Sequence, residues 1–192
     1  MPSHYDDELW RLVPDNPGPP RTHLARFVER LGQVESALDL GCGDGRLAEY
    51  VDAKQLTIAD VSQVALERAA RRLPAATPVR LEPDALLPLA DNTFDLVLCM
   101  ETLEHVRDVQ LLLSEARRVL VPGGRLAITT PAHSRLTGLG IAVRGFERRF
   151  PPFSPHLRFL TRRSLAHLLD DLGFDQQLLE RKRGTLLAVA RR

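Results

Sequence analysis

Three glycines at alternate positions constrain this chain more than any other feature. They lie in the run Ala37-Leu38-Asp39-Leu40-Gly41-Cys42-Gly43-Asp44-Gly45-Arg46-Leu47. The apolar start predicts a buried strand over 36–40. The glycines predict a sharp turn, because glycine reaches positive φ without a Cβ clash. The residues after them predict a helix over 45–53. An acid, Asp39, stands at the carboxyl end of the strand, the edge where open α/β sheets bind their ligands. The glycine spacing then narrows the ligand. A dinucleotide site uses G-x-G-x-x-G; here the third glycine comes one residue early, and Arg46 takes the place of the packing glycine. A P-loop needs Gly-Lys-Ser/Thr, and this loop has no lysine. The turn is open to a nucleoside at its backbone but lacks phosphate chemistry.

A positively charged adenosine derivative without phosphate suits such a turn and its acids, and S-adenosylmethionine is one. Further segments follow in order: Thr57-Ile58-Ala59-Asp60-Val61-Ser62, Pro83-Asp84-Ala85, Leu87-Pro88-Leu89, Asn92-Thr93-Phe94-Asp95, Glu101-Thr102-Leu103-Glu104-His105-Val106 and Leu120-Val121-Pro122-Gly123-Gly124-Arg125-Leu126. As an ordered set over residues 36–131, they resemble the class I S-adenosylmethionine-dependent methyltransferases of small-molecule type, similar to the ubiquinone-biosynthesis O-methyltransferases. The resemblance implies S-adenosylmethionine as cofactor and S-adenosylhomocysteine as product. It also implies a Rossmann-like sheet of seven strands, mostly parallel, with helices on both faces and its last strand antiparallel.

The length of 192 residues suits one domain over 1–192 with its own core. A net charge of +1 gives no global field for DNA. With no appended RNA-binding module, it also argues against RNA. Cys42 and Cys99 are the only cysteines, so neither a disulfide framework nor a zinc site is expected. The start is polar and acidic, and no apolar run approaches spanning length. These points together predict a cytoplasmic protein with no transmembrane segment.

Strands are expected at 36–40, 56–60, 79–82, 94–100 and 126–130, and helices at 21–31, 45–53, 63–73 and 107–120; this alternation marks a parallel sheet. Residues 1–20, with five prolines, read as an arm with at most a helical turn. Pro122-Gly123-Gly124 reads as the turn into the fifth strand. A helix at 162–172 and paired strands at 174–180 and 185–190 complete the chain. The long connection 131–161 reads as a substrate-side lid. Within it Leu139, Val143, Phe146 and Phe150 recur at helical spacing. From Arg144 to Arg163 six arginines face one acid, Glu147. Such a lid would meet a small, anionic or amphipathic acceptor or a membrane surface, unless it simply covers the core.

The resemblance implies that Asp39 faces the amino-acid end of the cofactor. Gly41, Gly43 and Gly45 offer bare backbone. Asp60 ends the second strand, 21 residues after Asp39, where an acid about 20 residues on takes ribose hydroxyls; Val61 follows it. Asp84 resembles the family's acid for the adenine amino group, with Ala85 and Leu86 beside the ring. Met100 and Glu101 are expected beside the methionine part and the transferred methyl. Asp44 reads as a helix cap outside the site.

Glu101, Glu104 and His105 stand at i, i+3 and i+4, one face if the segment is helical. This also resembles the metal motif of two oxygen-methylating groups, those of ubiquinone biosynthesis and those acting on the terminal ribose of small RNAs. His156, ahead of Thr161-Arg162, matches the further histidine of the RNA group. Glu101, Glu104, His105 and His156 are therefore the candidate ligands of a divalent metal such as magnesium, manganese or zinc. The bland alternative is that Glu104 and His105 only brace a loop. Glu101 and His105 are the candidate catalytic residues, and His133 is a candidate base or a surface residue. The leading function is methyl transfer from S-adenosylmethionine to a small molecule at oxygen. The alternatives are an RNA ribose 2'-O-methyltransferase and a non-catalytic S-adenosylmethionine-binding regulatory protein.

Overall fold

The computed structural model of the chain describes residues 4–133 and 156–192. Seven strands form one sheet: β1 (Val34–Leu40), β2 (Ala53–Asp60), β3 (Thr77–Arg80), β4 (Phe94–Met100), β5 (Leu120–Pro131), β6 (Asp175–Lys182) and β7 (Thr185–Arg191). Their spatial order is β3-β2-β1-β4-β5-β7-β6. The first five pair in parallel, and β7 runs antiparallel to both β5 and β6. This is the Rossmann-like arrangement expected. Among the described residues the α-helices are α1 (His4–Leu12), α2 (Thr22–Glu29), α3 (Gln63–Arg72), α4 (Val109–Val119) and α5 (Arg162–Asp171).

The central strands are apolar on both sides, as parallel strands covered by helices must be. Leu38, Leu40, Val97, Cys99, Leu126 and Ile128 pack with Leu113 and Ala116 of α4 and with Leu165 and Leu169 of α5. Ala37, Leu96, Leu98 and Ala127, one residue out of phase, pack with Leu24, Phe27 and Val28 of α2. Ile58 joins Leu66 and Ala69 of α3. The period of two along each strand thus sorts the helices onto two faces.

Several elements depart from their expected bounds. The helix expected at 45–53 is only a 3-10 turn, Ala48–Tyr50. Gly45 has φ +77° and Val51 is already extended, so too few residues remain between them for an α-helix. The third strand lies earlier than 79–82, at Thr77–Arg80. Helix α4 starts later than 107 because Asp108 caps it, accepting from the Leu111 N–H at 2.9 Å. The Pro122-Gly123-Gly124 segment falls inside β5, which starts at Leu120 opposite Phe94 and shifts register before Leu96. The arm expected to hold at most one helical turn forms the nine-residue α1. The helical spacing from Leu139 to Phe150 lies outside the described residues, as does most of the connection 131–161.

Candidate functional site

The carboxyl ends of β1, β2 and β4 meet at the glycine turn. The N–H groups of Gly41 and Cys42 donate to the Ala59 carbonyl at 2.8 and 3.0 Å, anchoring the turn to β2. A Cβ on Gly41 would lie 2.4 Å from the Thr102 methyl, and one on Gly43 2.7 Å from the Trp10 indole. Above Gly45 the space holds Leu73 and Ala69 of α3. At all three glycines the missing Cβ thus makes room for side chains of this chain, not for a ligand at bare backbone as expected. Arg46 turns back on the loop, its Nε donating to Asp44 Oδ1 at 2.9 Å. Asp44 therefore braces the turn instead of capping an α-helix. A 3-10 turn in place of a helix also removes the aligned N–H groups that would attract a pyrophosphate.

Asp60 holds the turn from the other side. Its Oδ2 accepts from the Gly43 N–H and its Oδ1 from the Ser62 N–H, both at 2.8 Å. Burial lifts its pKa to about 6 despite those bonds. Asp39 is 2% exposed, and burial, then the nearby Asp60 charge, lifts it to about 7. Glu101 sits at φ +54° directly after β4, its N–H donating to Thr129 Oγ1 at 3.0 Å. Burial, then Glu104, raises it to about 7. Burial likewise raises Glu104 to about 7, although Thr130 donates to its Oε2 at 3.0 Å. Among the described residues, Asp39 Oδ1 and Glu101 Oε1 are buried without a hydrogen-bond partner. Buried carboxylate oxygens left unpaired are costly, and a cation or N–H donor relieves them. This donor set fits a positively charged nucleoside.

Met100 is buried at the end of β4 and Val61 half-buried after β2. Asp84, at φ +53°, and Ala85 are exposed. Asp84 Oδ2 pairs with the Arg107 guanidinium at 2.5 Å. With both side chains well exposed, the pair is a weak latch that a ligand can displace.

Helix α1 closes over the glycine turn. Asp7 Oδ1 accepts from Ser62 Oγ at 2.7 Å and from the Val64 N–H at 3.3 Å, at the start of α3. Arg68 of α3 donates to the Val13 carbonyl at 2.9 Å and pairs with Asp15 at 2.8 Å. Trp10 sits on Gly43 and Tyr5 is exposed, a cover that sequence reasoning, which gave the arm at most a helical turn, did not foresee. Asp7, Thr102, Arg107 and Thr129 are site residues that it missed. The aromatic and acidic character of the arm was the available signal for Asp7; the other three carry none.

Three of the four expected metal ligands come together. The ligand atoms of Glu104, His105 and His156 all lie within 4.8 Å of one another, and the two imidazole rings are 4.9 Å apart. The N–H of Leu157 donates to the Glu104 carbonyl at 2.7 Å, tying the segment of His156 to this turn. Glu101 is not in that group. The segment after β4 is a series of turns, not a helix, so the expected shared face never forms. His133 is half-buried, its ring edge-on to Phe159 at 4.9 Å.

A twisted parallel sheet with a glycine turn, an acid closing β2 and unpaired carboxylates at the strand ends is the α/β architecture of Rossmann-like type, whose ligands bind at this edge. Residues 38–128 match the family described as methyltransferase domain. The chain belongs to the class I S-adenosylmethionine-dependent methyltransferase family. It is 35% identical over 152 residues to a malonyl-[acyl-carrier protein] O-methyltransferase of Enterobacter lignolyticus, covering 78% of this chain and 57% of the relative. It is 33% identical over 115 residues to a ubiquinone biosynthesis O-methyltransferase of a Chelativorans species, covering 57% and 45%. The chain spans about half the length of the curated relatives it matches. The YcgJ protein of Bacillus subtilis has the same fold, with a TM-score of 0.74 at 14% identity over 90% of this chain and 99% of that one.

Proposed function

We propose that the protein transfers a methyl group from S-adenosylmethionine to a small molecule, at oxygen. The observation that carries this reading is the pair of unpartnered, buried carboxylate oxygens on Asp39 and Glu101 beside the glycine turn. They are placed to receive the ammonium and sulfonium end of the cofactor. Asp60 then serves the ribose hydroxyls through its remaining lone pairs, with Val61 beside it. Asp84 and Ala85 serve the adenine, and Met100 the methionine part. Gly41 and Gly43 let Thr102 and Trp10 pack onto the turn that shapes the cofactor's site, and Gly45 keeps the turn against α3.

When bound, the cofactor supplies an electrophilic methyl with a good leaving group. The residues of this chain need chiefly to hold an acceptor in line with it. Ionised against the bound cofactor, Glu101 is the carboxylate that takes the acceptor's hydroxyl proton. His105, exposed at the edge of the same turn, positions the acceptor. Glu104, His105 and His156 would hold a divalent ion that lowers the pKa of a hydroxyl. The oxygen preference rests on the two relatives named above, both O-methyltransferases. No helix among the described residues is long and apolar enough to cross a membrane, in keeping with an acceptor taken from solution. The segments 1–20 and 131–161 are proposed to frame the acceptor.

Turnover of methyl-labelled cofactor against pooled metabolites and total RNA, with and without chelator, tests the reading. Label in a small-molecule ether or ester is expected, with less after chelation. Label in RNA would favour the ribose 2'-O-methyltransferase. Cofactor binding without turnover would favour a regulatory protein. Full activity after chelation would remove the metal and leave His105 and His156 as a loop brace.

A further inference from the structure

Helix α2 packs on β1, β4, β5 and Leu187 of β7, while Leu178 of the edge strand β6 stays exposed beside it. Between them lies a cleft of about 110 Å³. It shares no residue with the cofactor site. Its apolar lining is Phe27 on α2, Leu187 and Val189 on β7 and Leu178 on the edge strand β6.

Two features make this more than a packing defect. The first is His23. Its side chain lines the cleft and is only 7% exposed. Its Nε2 is buried with no hydrogen-bond partner among the described residues. A buried polar atom left unpaired is uncommon and costs stability unless something else supplies the bond. The second is charge. Arg26 and Arg30, four apart on α2 and so on one side of it, line the cleft with Lys182 of β6, against one acid, Glu180. None of these three cations makes an ion pair with the described residues. Arg21, Arg183 and Lys182 add to burial in disfavouring a charged His23, so the site is short of negative charge.

We propose that this cleft binds a small organic anion, a carboxylate or phosphate ester with a short apolar chain. The chain lies on Phe27, Leu187, Val189 and Leu178. The anionic group meets Arg26, Arg30 and Lys182 at the mouth and accepts a hydrogen bond from His23. A mostly apolar cavity with a few convergent polar groups is the ordinary form of a small-ligand site.

The test is a titration of the full chain with hexanoate, hexylammonium and inorganic phosphate. The ring resonances of His23, assigned with His23→Gln, are followed by NMR and affinity by calorimetry. Hexanoate is expected to shift His23 saturably, while the other two leave it in place. Leu178→Trp, which fills the apolar floor from an exposed position, and Arg30→Glu should each weaken hexanoate about tenfold or more. Neither variant should alter cofactor affinity, which separates this site from the cofactor cleft. Absence of a saturable shift, an equal shift with hexylammonium, phosphate binding as tightly as hexanoate, or unchanged affinity in both variants would each overturn the proposal.

Discussion

Asp60 ties the fold to the proposed ribose site. Its two oxygens fix Gly43 and Ser62 at 2.8 Å, so the acid shapes the turn before any ligand arrives. Replacing it with asparagine removes the charge and one of these two bonds, because the amide NH2 cannot accept from the Gly43 or Ser62 N–H it then faces. Asp60→Asn is therefore expected to weaken S-adenosylhomocysteine by about 1.5–3 kcal/mol, the usual worth of hydrogen bonds to a charged group. Calorimetry alongside a melting curve measures this; unchanged affinity in a folded variant removes Asp60 from the ribose. At this scale the sequence was informative where chemistry is local. The glycine turn and the acid that ends β2 are legible from spacing, and the acid after β4 from the family resemblance. That Gly45 accommodates α3, or that Arg107 reaches Asp84, depends on residues brought together from distant segments.

Among the elements, α1 is the one whose role changed most between sequence and structure. Proline-rich flanks and scattered apolar residues read as an arm. The Asp7 contacts with Ser62 and Val64 and the Trp10 contact with Gly43 make it a cover on the glycine turn. Those partners lie more than thirty residues away, beyond any local pattern. The expected helix after the turn was lost for the opposite reason: local propensity favoured it, but β2 begins at Ala53 and leaves no room. Because α1 adds no strand to the sheet and packs on α3, deleting residues 1–12 is expected to reduce turnover more than melting temperature. Trp10→Ala should reproduce most of that loss. Collapse of the melting temperature with normal turnover in the surviving folded fraction would make α1 a structural strap.

On the scale of the whole molecule, a mostly parallel sheet was legible from the α/β alternation, its seven strands and antiparallel last strand were implied by the family resemblance, and the strand order emerges only from the structure. The site's electrostatics were not legible, because they arise from burial. Asp39, Glu101 and Glu104 are lifted to about 7 and Asp60 to about 6. For an acid whose folded pKa is raised, stability is fully present below the unfolded value near 4 and is lost as pH rises through the folded value. The ligand-free protein should thus lose melting temperature as pH rises from about 4 to about 7. The buried His23, held below its usual value, opposes this only at the acidic end. A cationic ligand favours the ionised carboxylates, so stabilisation by S-adenosylmethionine should grow over the same interval. Thermal melts across that range check both trends; a melting temperature that rises with pH without ligand would mean that the acids are not raised.

The central claim is that this cleft selects a cationic nucleoside over a dinucleotide. Calorimetric titration of the full chain at neutral pH, in two buffers of different ionisation enthalpy, tests it most directly. S-adenosylmethionine should bind once per chain and release protons as Asp39 and Glu101 ionise against it. NAD should give no heat, since Arg46 stands at the packing-glycine position and no α-helix follows the turn. Tight binding of NAD, or no binding of S-adenosylmethionine by the folded protein, would contradict the account.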